Sequence, residues 1–504
     1  MRGPDRGERI AVIADARLTG GDRLDPFGAD PVDLHLADGR LVDIAPAGAL
    51  PRRGAVLDAA GGWVVPGLWD HHVHTVQWAL AAQRTPLGTA STAADAAAVM
   101  GGAPVLGDGR RVGSGFRDAL WPDRPTRALL DAATGDVPTY LINADVHSVW
   151  LNTAALQREQ MPIDDSGMLR EAPAFEISRR LNAADPVVGD RLVRAALEEA
   201  AARGVVGVVD LDMAWNAEAW ARRLDAGFDS TRIAFGIYPE QLDRALIEGL
   251  RSGATLEGVR DPFDLIRVGP LKVITDGSLG TRTAACSHSY PGDPHNHGVL
   301  AVTPEDLVEM LTRATAGGLA CAVHAIGDLA NTHALDAFAL TGATGTIEHA
   351  QLVAHADIAR FARLGIAASV QPEHAIDDRD LTDSVWAGQT ALPYPLRALA
   401  DAGANLLFGS DAPVAPLDPW AALAAAVFRT RDGRPAWHPE QAVDAATALA
   451  ASTGGGSLAG SAVTPGMTAD LAIIDRDPLA ASEAELRATA ALGTLIAGRL
   501  THVR

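Results

Sequence analysis

Two histidines set two residues apart close an apolar run near the start of the chain: Val64-Val65-Pro66-Gly67-Leu68-Trp69-Asp70-His71-His72-Val73-His74. In extended backbone, side chains two apart point the same way, so His72 and His74 can face one ion. A surface histidine cluster would show the same spacing, and the apolar strand in front is what favours a site. Four further apolar runs end in groups that ligate or titrate. Lys272 lies within Leu271–Gly277, His324 within Ala322–Asp328, His349 within Thr346–Ala350 and Asp411 within Leu406–Pro413. A lysine inside an apolar strand needs a reason, because burying a lone ammonium is costly unless its head snorkels out to water. A single histidine at a strand end is more often a satisfied core residue. Asp411 could serve a helix N-cap, a task open equally to Ser410. Five strand ends carrying such groups together read as a metal centre.

Those residues need a frame of strands that all end on one side. Between residues 61 and 457, apolar strands alternate with Ala-rich segments of helical pattern, which predicts an α/β fold with a parallel (β/α)8 barrel. The candidate strands are Trp63–Trp69, Thr139–Ala144, Val205–Leu211, Arg232–Tyr238, Leu271–Thr275, Leu319–Val323, Thr344–Ile347, Ile366–Val370 and Asn405–Phe408. That is nine for eight places. The distance from His74 to Val205 is too long for one βα unit, so the Thr139 strand is assigned to an insertion of about residues 76–185, a cap after barrel strand 1. Short β segments such as Val32–Leu36 and Ala469–Asp475 recur at both ends. They predict a composite β-sandwich of residues 1–60 and 458–504. Gly454-Gly455-Gly456 reads as a helix end, since no lysine follows at P-loop spacing.

The bulk composition narrows the class. The chain has 504 residues, 48% of them apolar, and a formal net charge of −21. A surface that acidic argues against nucleic acid and anionic membranes as partners. The two cysteines, Cys286 and Cys321, make no disulfide framework, so they are expected as reduced thiols in a cytoplasmic protein. No signal peptide and no apolar run of membrane-spanning length is expected.

Beyond these residues the motifs carry a resemblance. Leu271–Ala284 (LKVITDGSLGTRTA), Val323–Asp328, Ile347–Gln351 and Gly409–Pro413, with Asp145-Val146-His147, Asn152 and Gly167–Glu171 in the insertion, are similar to the amidohydrolase superfamily, in its YtcJ-like branch that includes N-substituted formamide deformylases. The similarity runs from about Ala11 to Val503. His71 departs from the pattern, which commonly has a small residue there; its side chain is expected to point away from those of His72 and His74. The resemblance implies a binuclear centre, with zinc the best fit to histidine and carboxylate ligands. His72 and His74 would bind one metal, and Lys272, N-carboxylated, would bridge both. His324 and His349 would bind the second, and Asp411 would bind the first and act as acid and base. A hydroxide made available by the metals would attack an amide-type carbonyl, with Asp411 returning the proton to the leaving amine.

Around this centre, His147 is the expected oxyanion donor, the alternative being a solvated cap histidine. Arg282, Gln371, His374 and Trp150 are the expected substrate contacts. The loop with His288, His295 and His297 could hold a third metal. The substrate is expected to be a small molecule with a carbon–nitrogen bond, N-substituted formamides being one class. A homodimer is left open, with no interface stripe visible. Two other functions compete: a mononuclear deaminase of the same superfamily, which would not need Lys272, and a non-catalytic relative, which would have lost ligands.

Overall fold

A computed structural model describes residues 3–19, 30–182, 186–458 and 460–504. Eight parallel strands form its centre: β1 (Leu68–Val73), β2 (Val205–Asp210), β3 (Arg232–Ile237), β4 (Ile266–Ile274), β5 (Cys321–Ala325), β6 (Gly345–His349), β7 (Ala367–Val370) and β8 (Leu406–Phe408). Neighbours pair in chain order. The ring is nearly closed by a parallel bridge between Val73 and Ala412 and by the Asp411 amide donating to His72 O at 2.7 Å. Helices such as 304–317 and 328–341 cover the outside, and the apolar residues between strands and helices form the largest core. This is a mixed α/β barrel of the expected class.

The first predicted strand divides in two. Residues 63–66 pair with 471–474 in the terminal sheet, and β1 starts only at Leu68. Gly67 makes the crossing possible: a Cβ there would stand 2.4 Å from Val206 Cγ1. The terminal sheet has eight strands from both ends of the chain, running 499–503, 491–496, 471–474, 63–66, 12–18, 32–37 and 40–46, with 56–58 paired to 12–18. Strand 12–18 shifts register against 32–37 between Ile13 and Ala16; along its other edge it pairs with 56–58 over residues 12–14 and with 63–66 over residues 17–18. The sheet so bent encloses its own apolar core, with Ile13, Leu34, Val64 and Leu471 fully buried.

The Thr139 strand is outside the barrel, as the spacing required. It runs from Thr139 to Asn143 in a separate five-stranded sheet, inserted after β1, in the order 168–170, 148–151, 139–143, 111–116 and 85–86. The expected end of the insertion, residue 185, lies outside the described residues. No described helix is long and apolar enough to cross a membrane.

Candidate metal centre

The C-terminal ends of the barrel strands and the inserted sheet together bound a cleft of about 1110 Å³, its open mouth included. Its floor holds His72, His74, Lys272, His324, His349 and Asp411; Asn143, Asp145, His147 and Phe175 reach it from the insertion. The six residues singled out at strand ends therefore converge in space.

His72 and His74 share a face, as alternation requires. Their Nε2 atoms lie 3.5 and 3.3 Å from Asp411 Oδ1 across the barrel seam. His71 points the other way, its Nε2 2.9 Å from Thr453 O. Lys272 is 1% exposed, with Nζ 3.5 Å from His72 Nε2 and no ion pair among the described residues. Burial pulls its ammonium pKa down, against the pull of the Glu348 and Asp411 carboxylates. Burial would raise Asp411, but His72, His74 and His349 hold it well below the usual carboxylate range.

Two hydrogen bonds orient the imidazoles. His72 Nδ1 lies 2.6 Å from Glu348 Oε2, and His349 Nδ1 lies 2.9 Å from Gln371 Oε1. Both partners are acceptors, so each Nδ1–H donates outward and leaves an Nε2 lone pair for the cleft. Glu348 is held down at about 2: burial opposes its charge most strongly, but the His72 bond together with the charges of His72 and Lys272 outweighs it. Burial, then Lys272, lowers His72 to about 4, which fits a neutral ring. Burial also lowers His349 well below the usual imidazole range, with His324 and His72 adding repulsion. His74 Nδ1 has no partner among the described residues. The neutral imidazoles of His72 and His349, aimed inward beside an ionised carboxylate, are donors a divalent cation takes.

Two groups of three could hold an ion: His72, His74 and Asp411, and His349, His374 and Asp411. His374, read from the sequence as a substrate contact, is thus placed beside His349. His324, read as the partner of His349, has its ring centroid 4.5 Å from that of His349, while its Nε2 lies 3.4 Å from Asp276 Oδ1. Asp276 also accepts the amides of Ala285, Ile326 and Gly327, fixing the turns after β4 and β5.

The other expected contacts divide. His147 lines the cleft, its ring centroid 5.8 Å from that of His324. Its Nδ1 lies 2.9 Å from Glu171 Oε2, and Glu171 Oε1 accepts from the Thr283 hydroxyl at 2.6 Å. Asp145 accepts from the Ser278 hydroxyl at 2.7 Å. Two carboxylates of the insertion thus grip the loop after β4. Gln371 turns to His349 rather than to the cleft. Trp150 is fully buried in the core of the insertion, and Arg282 is exposed; neither lines the cleft. No candidate ion group includes His288, His295 or His297 among the described residues. Glu348, Asp70 and Asp276 were not singled out by type and spacing. Asp70, 5% exposed, accepts the Ser410 and His72 amides, and burial pushes it up to about 7.

The profile of the amidohydrolase family matches residues 55–502. The chain is similar to Protein LONG AFTER FAR-RED 3 of Arabidopsis thaliana, at 28% identity over 92% of this chain and 87% of that one. It is similar to the N-substituted formamide deformylase of Arthrobacter pascens, at 26% identity over 91% of each. Among solved structures it resembles an uncharacterized metal-dependent hydrolase of Pyrococcus horikoshii. That match has a TM-score of 0.77 and 26% identity, and covers 94% of this chain and 99% of the other.

Proposed function

The chain belongs to the amidohydrolase family, metal-dependent hydrolases of carbon–nitrogen bonds, and from that premise we propose that it cleaves an amide-type bond other than a peptide bond, in a small molecule, at a two-metal centre. The observation that carries this reading is the convergence of His72 Nε2 and His74 Nε2 on Asp411 Oδ1, at 3.5 and 3.3 Å, with Lys272 Nζ 3.5 Å from His72 Nε2. A buried ammonium beside a neutral imidazole is a poor resting state. N-carboxylation would turn Lys272 into an anionic bridge between two cations. His72 and His74 would hold one ion, and His349 with His324 or His374 the other; zinc suits this set best.

When bound, the two cations supply Lewis acidity toward a carbonyl and a lowered pKa for water. Asp411, ionised, takes a proton from the attacking water and hands it to the leaving nitrogen. His147, held at Nδ1 by Glu171, presents Nε2 toward the developing oxyanion. Leu279, Ile326 and Phe175 give the cleft apolar walls that exclude water and suit a moderately hydrophobic substituent. N-substituted formamides are the substrate class we favour, on the likeness to the deformylase.

The test is metal content together with turnover. Purified protein should hold close to two ions per chain and should release formate or another acid from some member of a panel of N-formyl and N-acyl amines. A single ion per chain would remove the bridging lysine and favour the one-metal deaminase, its ion held in the group of His72, His74 and Asp411.

A further inference from the structure

We propose that the protein binds a small monovalent anion of the halide class in a small cavity behind His349, with Arg429 as its principal ligand. Arg429 follows the helix 419–428 and is 0% exposed. Its Nε donates to Trp437 O at 3.1 Å, but neither Nη1 nor Nη2 finds an acceptor among the described residues. It forms no ion pair there either; Glu440 acts on it only from a distance. Burial lowers the guanidinium pKa to about 10, so the group stays cationic at neutral pH.

A buried cation without acceptors needs a counter-charge. Two features of the fold compensate it in part. The Trp437 ring centroid lies 5.3 Å from the guanidinium carbon, and the carbonyl end of the helix 419–428 lies beside it. Neither supplies an oxygen to Nη1 or Nη2.

The cavity beside Arg429 has the size for a small ion. It spans about 210 Å³, its open side included, with room for one body of about water size. Sulfate, phosphate or a carboxylate would not fit; a chloride or bromide ion would. A water molecule would supply an acceptor but no charge. Among the lining residues, Val370, Pro372, Ala375 and Leu396 are apolar, while Gln371 and Tyr394 bring polar groups. Those polar groups have other tasks: Tyr394 donates to Asp378 at 2.9 Å, and Gln371 Oε1 accepts from His349 Nδ1. An ion here therefore touches Gln371, the residue that orients His349.

The full-length, metal-loaded protein is compared in sodium bromide and sodium gluconate at matched ionic strength. The thermal midpoint should rise with the logarithm of bromide concentration, by about 1–3 °C across a tenfold excess over the dissociation constant, and stay flat in gluconate. Arg429→Met should remove the increment. In crystals grown in bromide, an anomalous peak should lie within hydrogen-bond distance of Arg429 Nη1 or Nη2. A water molecule at that place, or a bromide peak only at the metals, overturns the proposal; so do equal midpoints of the native protein in the two salts. If Arg429→Met does not fold, the anomalous map and the native titration decide alone.

Discussion

Asp411 joins β8 to the histidines of β1, and it takes a left-handed backbone, φ 57°, to do so. For a non-glycine residue that costs on the order of 1 kcal/mol or more and persists where the surroundings demand it. Asp411→Asn keeps an oxygen at the same place and loses the base. Metal content should stay near the native value while kcat falls about 10²–10⁴-fold. Normal turnover would remove Asp411 from the proton transfers. Glu348 makes a separate prediction. Glu348→Gln keeps an acceptor for His72 Nδ1 but no charge, and metal affinity in chelator competition should weaken about 10–100-fold. An unchanged affinity would leave Glu348 a packing residue. The pair His72 and His74 was legible because a spacing of two has one meaning in a strand. Glu348 was not, because alternation sends adjacent residues to opposite sides. His349 breaks that rule with φ 72°, so both Glu348 and His349 approach His72. A sequence pattern does not encode that single dihedral.

At the scale of elements, periodicity located the strands and missed where one sheet hands over to another. Residues Trp63 to Trp69 are uniformly apolar, so nothing in their pattern marks the step at Gly67 between the terminal sheet and the barrel. The assignment of Thr139–Ala144 to the insertion came from spacing alone, and pairing of 139–143 with 111–116 and 148–151 bears it out. In the terminal sheet, strand 32–37 carries Asp33, which is 0% exposed despite its charge. It accepts from Arg52 Nε and Nη2, both at 2.8 Å, and from the amides of Asp15 and Gly48. Burial opposes the charge, but these bonds win and hold Asp33 below its usual range. A depressed carboxylate stabilises the fold above the unfolded pKa of about 3.9, and that stability is lost as pH falls through the folded value. Asp33→Asn should therefore destabilise by about 1–3 kcal/mol at pH 7. The gap between variant and native protein in thermal midpoint should close as pH drops below about 4. A gap independent of pH would mean that shape, not charge, is what Asp33 provides.

For the whole molecule, the candidate metal centre lies at the weakest line of the barrel. Strands β4 and β5 are joined over four residue pairs, Leu271 to Ile274 against Cys321 to His324. Between β1 and β8 there is one bridge, Val73 with Ala412, and two hydrogen bonds, Asp411 N to His72 O and His74 N to Ala412 O. His72 and His74 stand on one side of that seam and Asp411 on the other. On the proposed ligand set, the metal would tie together two strands that the backbone joins poorly, so binding and barrel closure become one equilibrium. Chelation should therefore loosen the molecule unevenly. Amide hydrogen exchange at His74 and Asp411 should speed up at least tenfold more on metal removal than at Val323 and Ala325 in β5. Reloading zinc should restore the native rates. If exchange rises equally in both regions, or not at all, the barrel closes without help from the ion and the centre serves chemistry alone.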